Sequence, residues 1–274
     1  MIIKIKGKHN GLYYEIKGKG EPIIFLHGIG GTHNMFSPQI EMFSQVAQTI
    51  AIDLKGHGRS ESVNTTRYLD VHCRSLLDLM EHLELEEAIF VGLSYGGIVT
   101  QAFAIRYPEK VKQMILIDTY AAVFPRTLSQ IPLTMFGLFI ASSVILPYKM
   151  LTPLFKKYEQ WELAHQTMIY NYKTRKKFQM ALQLIEVGGK NYLKDLQKLP
   201  IPTLVIVGDV YSSVVEKSFE IYKSLPNAEM VIVKKAMDPT NLCAPDEVNE
   251  ALISFIQPGL QNINFADKPL TSVL

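Results

Sequence analysis

Ala88-Ile89-Phe90-Val91-Gly92-Leu93-Ser94-Tyr95-Gly96-Gly97-Ile98-Val99 decides how this chain folds. Ala88 to Leu93 is a short apolar run, the pattern of a buried strand. From Ile98 to Arg106 the apolar residues recur at helical spacing. Between them, Gly92-Leu93-Ser94-Tyr95-Gly96 sets a serine two places from glycine on either side. A sharp strand-to-helix turn of this kind strains the serine backbone and presents its hydroxyl at the carboxyl end of the strand. Glycine at the flanking positions removes side chains that would collide across the turn. The same five residues can form an ordinary turn, but the strand before and the helix after favour a nucleophile elbow.

Working outward, the chain repeats that strand-then-helix rhythm. Residues 2–6 and 12–17 alternate apolar with polar positions around Asn10-Gly11, a hairpin signal. Pro22 to Leu26 is fully apolar and reads as a central strand, with a helix following over about Met35–Ala47. Thr49 to Leu54 is the next strand, and Tyr68 to Leu83 carries Leu69, Leu76, Leu77, Met80 and Leu83 on one helical stripe. Beyond the elbow come strands at Val111–Ile117, Thr203–Val207 and Glu229–Val233, with helices near Val214–Leu225 and Asp246–Ile256. Apolar strands alternating with amphipathic helices predict an α/β fold: a mostly parallel eight-stranded sheet with helices on both faces.

The rhythm breaks between strands six and seven, where helical spacing and prolines appear without a strand signal. This predicts a core of residues 1–118 and 196–257, a helical cap over 119–195 and a loose tail over 258–274. Ile131 to Tyr148 runs eighteen residues without a charge, but Pro132, Pro147 and Gly137 leave too little helix for a membrane span, so we read it as cap lining an apolar pocket. Residues 120–194 hold ten Lys/Arg, among them Arg126 and Lys149, against three acids, a surplus of seven over a remainder at −5. That basic, apolar cap offers either a solvated face or a surface for peripheral membrane contact. Trp161, Tyr158, Tyr170 and Tyr172 are expected to pack the cap on the core.

Composition narrows the rest. Hydrophobic residues make up 47% and charged residues 20%, an ordinary globular balance, and a net charge of +2 without a binding signature argues against nucleic acid. Cys73 and Cys243 lack metal-ligand spacing, so no metal and no cofactor are expected. The first residues have neither the apolar core nor the cleavage site of a secretory leader, which makes the cytoplasm the expected location. Gly28-Ile29-Gly30-Gly31-Thr32-His33 follows a strand, and Asp53 ends the next one, as in a dinucleotide site. However, His33 stands where that fingerprint requires glycine.

These motifs together resemble the α/β-hydrolase fold superfamily over residues 1–257. His27-Gly28-Ile29-Gly30-Gly31 resembles its oxyanion loop, Gly56-His57-Gly58-Arg59-Ser60 its loop after the fourth strand, and Asn241 to Phe255 its last helix. The resemblance implies Ser94 as nucleophile and the N–H groups of Ile29 and Tyr95 as oxyanion donors. It makes His27 and His57 structural. The family triad also needs an acid after the seventh strand and a histidine after the eighth.

Here the pattern departs. The acid position falls on Tyr211, with Asp209 two places early, and the histidine position falls on Asp238. No histidine follows His165. A single inactivating substitution would alter one of these positions and not both, so we read natural divergence. A serine hydroxyl is a poor nucleophile without a base to take its proton, and an ordinary aspartate is some 2 to 3 units weaker than imidazole. Three substitutes are candidates: Asp238 itself with a burial-raised pKa, in a row with Ser94 and Tyr211; His33, after the oxyanion loop; and Asp118, at the end of strand six. The reading is an atypical enzyme acting on a hydrophobic small molecule, an ester, thioester or lactone, through Ser94. The alternatives are a non-hydrolytic cyclase, isomerase or lyase on the same scaffold, and a ligand-binding protein with a dead triad.

Overall fold

The computed structural model describes residues 4–122 and 155–256, together with Leu146, Met150 and Pro153. The uncharged run 131–148, Arg126, Lys149 and the tail 258–274 lie wholly or almost wholly outside the described residues.

Eight strands form one sheet: β1 (Lys4–His9), β2 (Leu12–Lys17), β3 (Pro22–Leu26), β4 (Gln48–Asp53), β5 (Ala88–Leu93), β6 (Val111–Ile117), β7 (Thr203–Gly208) and β8 (Ala228–Val233). Their order is β1-β2-β4-β3-β5-β6-β7-β8, with β2 antiparallel to both neighbours and the rest parallel. The hairpin β1–β2 turns on Asn10 and Gly11, at φ 45° and 75°, the left-handed pair that Asn-Gly supplies.

Successive residues of the central strands enter opposite cores. Ile24, Leu26, Phe90, Leu116 and Val205 face one, with Leu76 and Met80 of α2 (Tyr68–His82) and Val99 and Phe103 of α3 (Tyr95–Arg106). Ile23, Phe25, Val91, Ile117 and Ile206 face the other. There they meet Ile40 and Phe43 of α1 (Ser37–Phe43) and, from the last helix at Pro245–Ile256, Val248 and Leu252. This two-sided burial is why these strands read as continuous apolar runs.

Two helices start elsewhere than their apolar spacing predicts. The first is a 3-10 turn over His33–Phe36 followed by α1, because Pro38 fits only the opening turn of an α-helix. By contrast, α3 begins at Tyr95, three residues early, with Gly96 and Gly97 inside it. Neither glycine breaks the helix; both permit contact. A methyl group on Gly96 would lie 2.0 Å from Leu26 O, and one on Gly97 2.6 Å from Thr119 Cβ.

Between β6 and β7 the described chain is helical: α4 (Glu162–Thr174), α5 (Lys177–Gly188) and α6 (Leu193–Leu196). Among the described residues no helix is long and apolar enough to cross a membrane. The core closes with α7 (Ser212–Ser224), α8 (Thr240–Cys243) and α9 (Pro245–Ile256).

Candidate active site

Ser94 occupies the turn between β5 and α3 at φ 49°, ψ −113°. A left-handed φ on a non-glycine residue is costly and survives only where its surroundings over-determine it. Here the end of β6 and the loop after it do so: Ser94 N donates to Ile117 O at 2.8 Å, and Thr119 Oγ1 donates to Ser94 O at 2.7 Å. The Ser94 side chain remains partly exposed, and no described residue hydrogen-bonds its hydroxyl.

The loop after β3 lies directly beside it, since a methyl on Gly28 would sit 3.5 Å from Ser94 Cβ. Gly31 N donates to Gly28 O, and Gly30 N donates to His57 Nε2 at 3.1 Å. The N–H groups of Ile29 and Tyr95 meet no acceptor among the described residues. His27 Nδ1 donates to Gly28 O while its Nε2 accepts from Leu54 N, and burial pushes this imidazole down to about 4. His27 and His57 therefore act here as neutral struts of the loops.

His33 is directed elsewhere. Its Nδ1 lies 2.7 Å from Asp53 Oδ1 and its Nε2 3.4 Å from Glu15, and it makes no contact with Ser94. Asp53 also accepts from His33 N and Arg59 N, both at 2.8 Å. Burial would raise this carboxyl, but the hydrogen bond and charge of His33 hold it near about 2. The glycine-rich loop is thus pinned to the end of β4 by an anion, which explains the resemblance to a dinucleotide turn.

Asp118 and Asp238 influence each other electrostatically. Asp118, at φ 48°, is buried and accepts from Thr240 N at 2.6 Å, Thr240 Oγ1 at 2.8 Å and Gly208 N at 3.3 Å. Burial raises it to about 6 against those three donors. Burial and then the charge of Asp118 push Asp238 well above the carboxylate range. No described residue donates to the Asp238 carboxyl. Tyr158 donates to Asp238 main-chain O at 2.7 Å, and Tyr120 is raised to about 12 by burial and by Asp238.

The hydrogen-bonded row Ser94–Asp238–Tyr211 is not formed. Tyr211 is exposed, and its hydroxyl accepts from Lys157 Nζ at 3.4 Å. Asp209 serves its neighbours, accepting from Lys235 N at 2.7 Å with Lys234 3.4 Å away. Sequence reasoning missed Thr240 and Tyr120, and gave Tyr158 a packing role without its hydrogen bond to Asp238. Thr240, two places after the family's histidine position, could have been weighed as a partner for Asp118, whereas nothing in the pattern marks Tyr120.

The inserted helices reach this site from above. Thr32 Oγ1 donates to Asn171 Oδ1 at 3.3 Å, and a methyl on Gly30 would meet Met180 Sδ at 3.2 Å. Tyr158 and Trp161 pack against the core and Tyr172 against Phe155, but Tyr170 is 52% exposed, so it faces solvent and packs nothing onto the core. Among the described residues no group of three His, Cys, Asp or Glu side chains is placed to hold a metal.

The sequence profile of the alpha/beta hydrolase fold matches residues 21–236. The chain belongs to this family. As an alpha/beta hydrolase it is 22% identical, over 93% of its own length and 97% of the relative's, to the (E)-2-((N-methylformamido)methylene)succinate hydrolase of Acinetobacter baylyi. It is 32% identical to 3-oxoadipate enol-lactonase 2 of the same organism, over 37% of this chain and 38% of that one. The crystal structure of the enol-lactonase from Burkholderia xenovorans superposes with a TM-score of 0.79 at 19% identity, covering 92% of this chain and 99% of that chain. Family membership places this alpha/beta hydrolase among hydrolytic enzymes.

Proposed function

We propose that the protein cleaves a hydrophobic ester, thioester or lactone through Ser94, with Asp238, at the histidine position of the family triad, moving the proton. The observation that carries this reading is Ser94 in a strained turn, with an unbonded hydroxyl beside two unclaimed main-chain N–H groups, those of Ile29 and Tyr95. Ser94 Oγ attacks the carbonyl carbon and its proton passes to the Asp238 carboxylate. The N–H pair holds the developing oxyanion. Asp238 then protonates the leaving alkoxide or thiolate, and water releases the acyl group by the same route reversed. Relatives named as an enol-lactonase and as a hydrolase of a substituted succinate support hydrolytic chemistry on a small molecule.

Residues 119–195 are, in this reading, the cap that shapes an apolar pocket above Ser94. Tyr170, Phe178 and Ile185, exposed on its helices, support its approach to an apolar or lipid surface, with the cytoplasm as the site of action. Tyr211 borders the site through Lys157 and has no proton-transfer step.

A fluorophosphonate probe tests the proposal. Labelling of the wild type that disappears in Ser94→Ala, together with turnover of short-chain esters or lactones, is expected. Failure of the folded protein both to label and to turn over would sink it. A second reading is favoured by the missing hydrogen bond between Asp238 and Ser94: a non-hydrolytic rearrangement in which protonated Asp238 is a general acid. Product formed in ¹⁸O-water without incorporated label separates the two.

A further inference from the structure

We propose that Gln183 of α5 is a positioning residue for the oxyanion site: by holding the loop that carries His57 it fixes Gly30, and through Gly30 the aim of the Ile29 N–H. This rests on the reading of Ser94 as nucleophile, with Ile29 and Tyr95 as its oxyanion donors.

The loop after β3 is a tight turn over Gly28, Ile29, Gly30 and Gly31, closed by Gly31 N donating to Gly28 O at 3.0 Å. Gly30 stands at φ 71°, and a left-handed glycine at the third place of such a turn marks type II. Types I and II differ by a reversal of the central peptide, here the one joining Ile29 to Gly30, and the closing bond does not decide between them. His57 does, since its Nε2 accepts from Gly30 N at 3.1 Å. Burial holds this imidazole well below its ordinary pKa, so it stays neutral and that nitrogen remains an acceptor.

His57 lies between β4 and α2, in a stretch with no helix or strand of its own. There α5 grips the chain on both sides of it. Gln183 Nε2 donates to Lys55 O at 3.2 Å, ahead of His57, and Lys176 Nζ, at the start of α5, donates to Ser60 O at 2.6 Å, beyond it. Gly56 lies flat against the helix at φ 83°, where a methyl group would stand 2.9 Å from Gln183 Nε2 and 3.1 Å from Gln179 Cβ. Met180 of the same helix touches Gly30 itself.

The chemistry of this contact is what makes it a positioning device. Beside Met180 and Val187, α5 buries Gln179 and Gln183, while Phe178 and Ile185 point outward at 64% and 73% exposure. An amphipathic helix ordinarily does the reverse. Its hold on the His57 loop is therefore built from directed hydrogen bonds more than from apolar area. Apolar burial is non-directional and tolerates sliding, whereas a hydrogen bond weakens steeply as its angle opens. A misplacement of about 1 Å near the reacting atoms costs about a hundredfold in rate, so a distant amide that sets this loop can act on turnover.

The test is kcat and KM on 4-nitrophenyl butyrate, with inhibition by butaneboronic acid, for the wild type, Gln183→Leu, Glu186→Ala and Ser94→Ala. The boronate binds the serine oxygen as a tetrahedral adduct and so reads the oxyanion donors. For Gln183→Leu we expect kcat lowered at least about tenfold with KM within about twofold, and boronate inhibition weakened by a similar factor. Glu186→Ala loosens the same helix where it meets α2, away from His57, and should keep kcat within about twofold. A folded Gln183→Leu with wild-type kcat and wild-type boronate inhibition overturns the proposal. An equal loss in Glu186→Ala also overturns it, because general loosening then accounts for both. If Ser94→Ala keeps the wild-type turnover, or the wild type has none, the Ser94 reading falls and this one with it. If Ser94→Ala is inactive and Gln183→Leu unimpaired, Ser94 stands and the role of Gln183 falls alone. Should Gln183→Leu not fold, Lys176→Met, which removes the bond to Ser60 O, decides: a lower kcat at unchanged KM supports the assignment, and an unchanged kcat overturns it.

Discussion

At residue scale, two glycines near the serine, Gly28 of the loop after β3 and Gly96 of the elbow, have different tasks. A methyl on Gly28 would make an ordinary contact, 3.5 Å from Ser94 Cβ, whereas one on Gly96 would stand 2.0 Å from Leu26 O. Gly28→Ala is therefore expected to fold with stability within about 1 kcal/mol of wild type. Ester turnover should nevertheless fall by at least about tenfold, since the methyl sits where substrate must align with the hydroxyl. Gly96→Ala is expected to lose about 3 kcal/mol, the upper end of overpacking. Urea denaturation and initial rates, measured side by side, check both. Ser94 is marked by its place between Gly92 and Gly96, whereas Tyr211 and Asp238 are marked only through the resemblance to the family triad. Asp118's hydrogen bonds are marked by neither. They join residues 90 and 122 positions apart, and no local pattern encodes such a pairing.

Helices and strands show the same boundary between local and distant causes. All eight strands could be placed from apolar runs and turn residues; their ends moved by no more than a residue, except that β1 runs three residues further, to His9. The start of α2 was legible from its apolar stripe, but its cap was not, since Arg67 offers no side-chain hydrogen bond there. The capping acceptor arrives from α5: Glu186 Oε2 takes the Leu69 N–H at 2.9 Å, 117 residues away. Gln179 Oε1 accepts from Val63 N at 3.0 Å, and Gln183 Nε2 donates to Lys55 O at 3.2 Å. One face of α5 thus docks the inserted helices on the core. Glu186→Ala is expected to cost about 1–2 kcal/mol, the usual loss for an N-cap acceptor. Limited proteolysis should then cut first near residues 61–67, the stretch that α5 holds down.

For the molecule as a whole, the buried imidazoles set a pH dependence that its near-neutral charge does not reveal. His72 lies between Tyr68 and Tyr95, with ring centroids 5.8 Å from each, and neither of its nitrogens has a partner among the described residues. Burial pushes it down to about 3. The unfolded chain, whose histidines titrate near 6.5, takes up protons that the folded chain refuses, so this contribution is full above pH 6.5 and declines as pH falls towards 3. Between pH 7.5 and pH 5 the loss from this one group is about 2 kcal/mol. His72→Phe keeps the ring contacts and removes the titration, so its urea midpoint should fall by correspondingly less over that interval than the wild type's. A midpoint difference that is the same at both pH values would contradict the assignment. Nothing in the sequence singled out His72, whose place on α2 reads simply as part of a helical face.

The elbow also bears on ancestry. In the proposed mechanism, hydroxyl orientation and the two amide donors come from backbone shape, which many residues enforce jointly, while the proton carrier is one side chain on a loop. Histidine and aspartate codons differ by a single base, as do those for aspartate and tyrosine. If 238 and 211 are the triad positions, as proposed, both departures lie one nucleotide from the usual triad and leave the fold untouched.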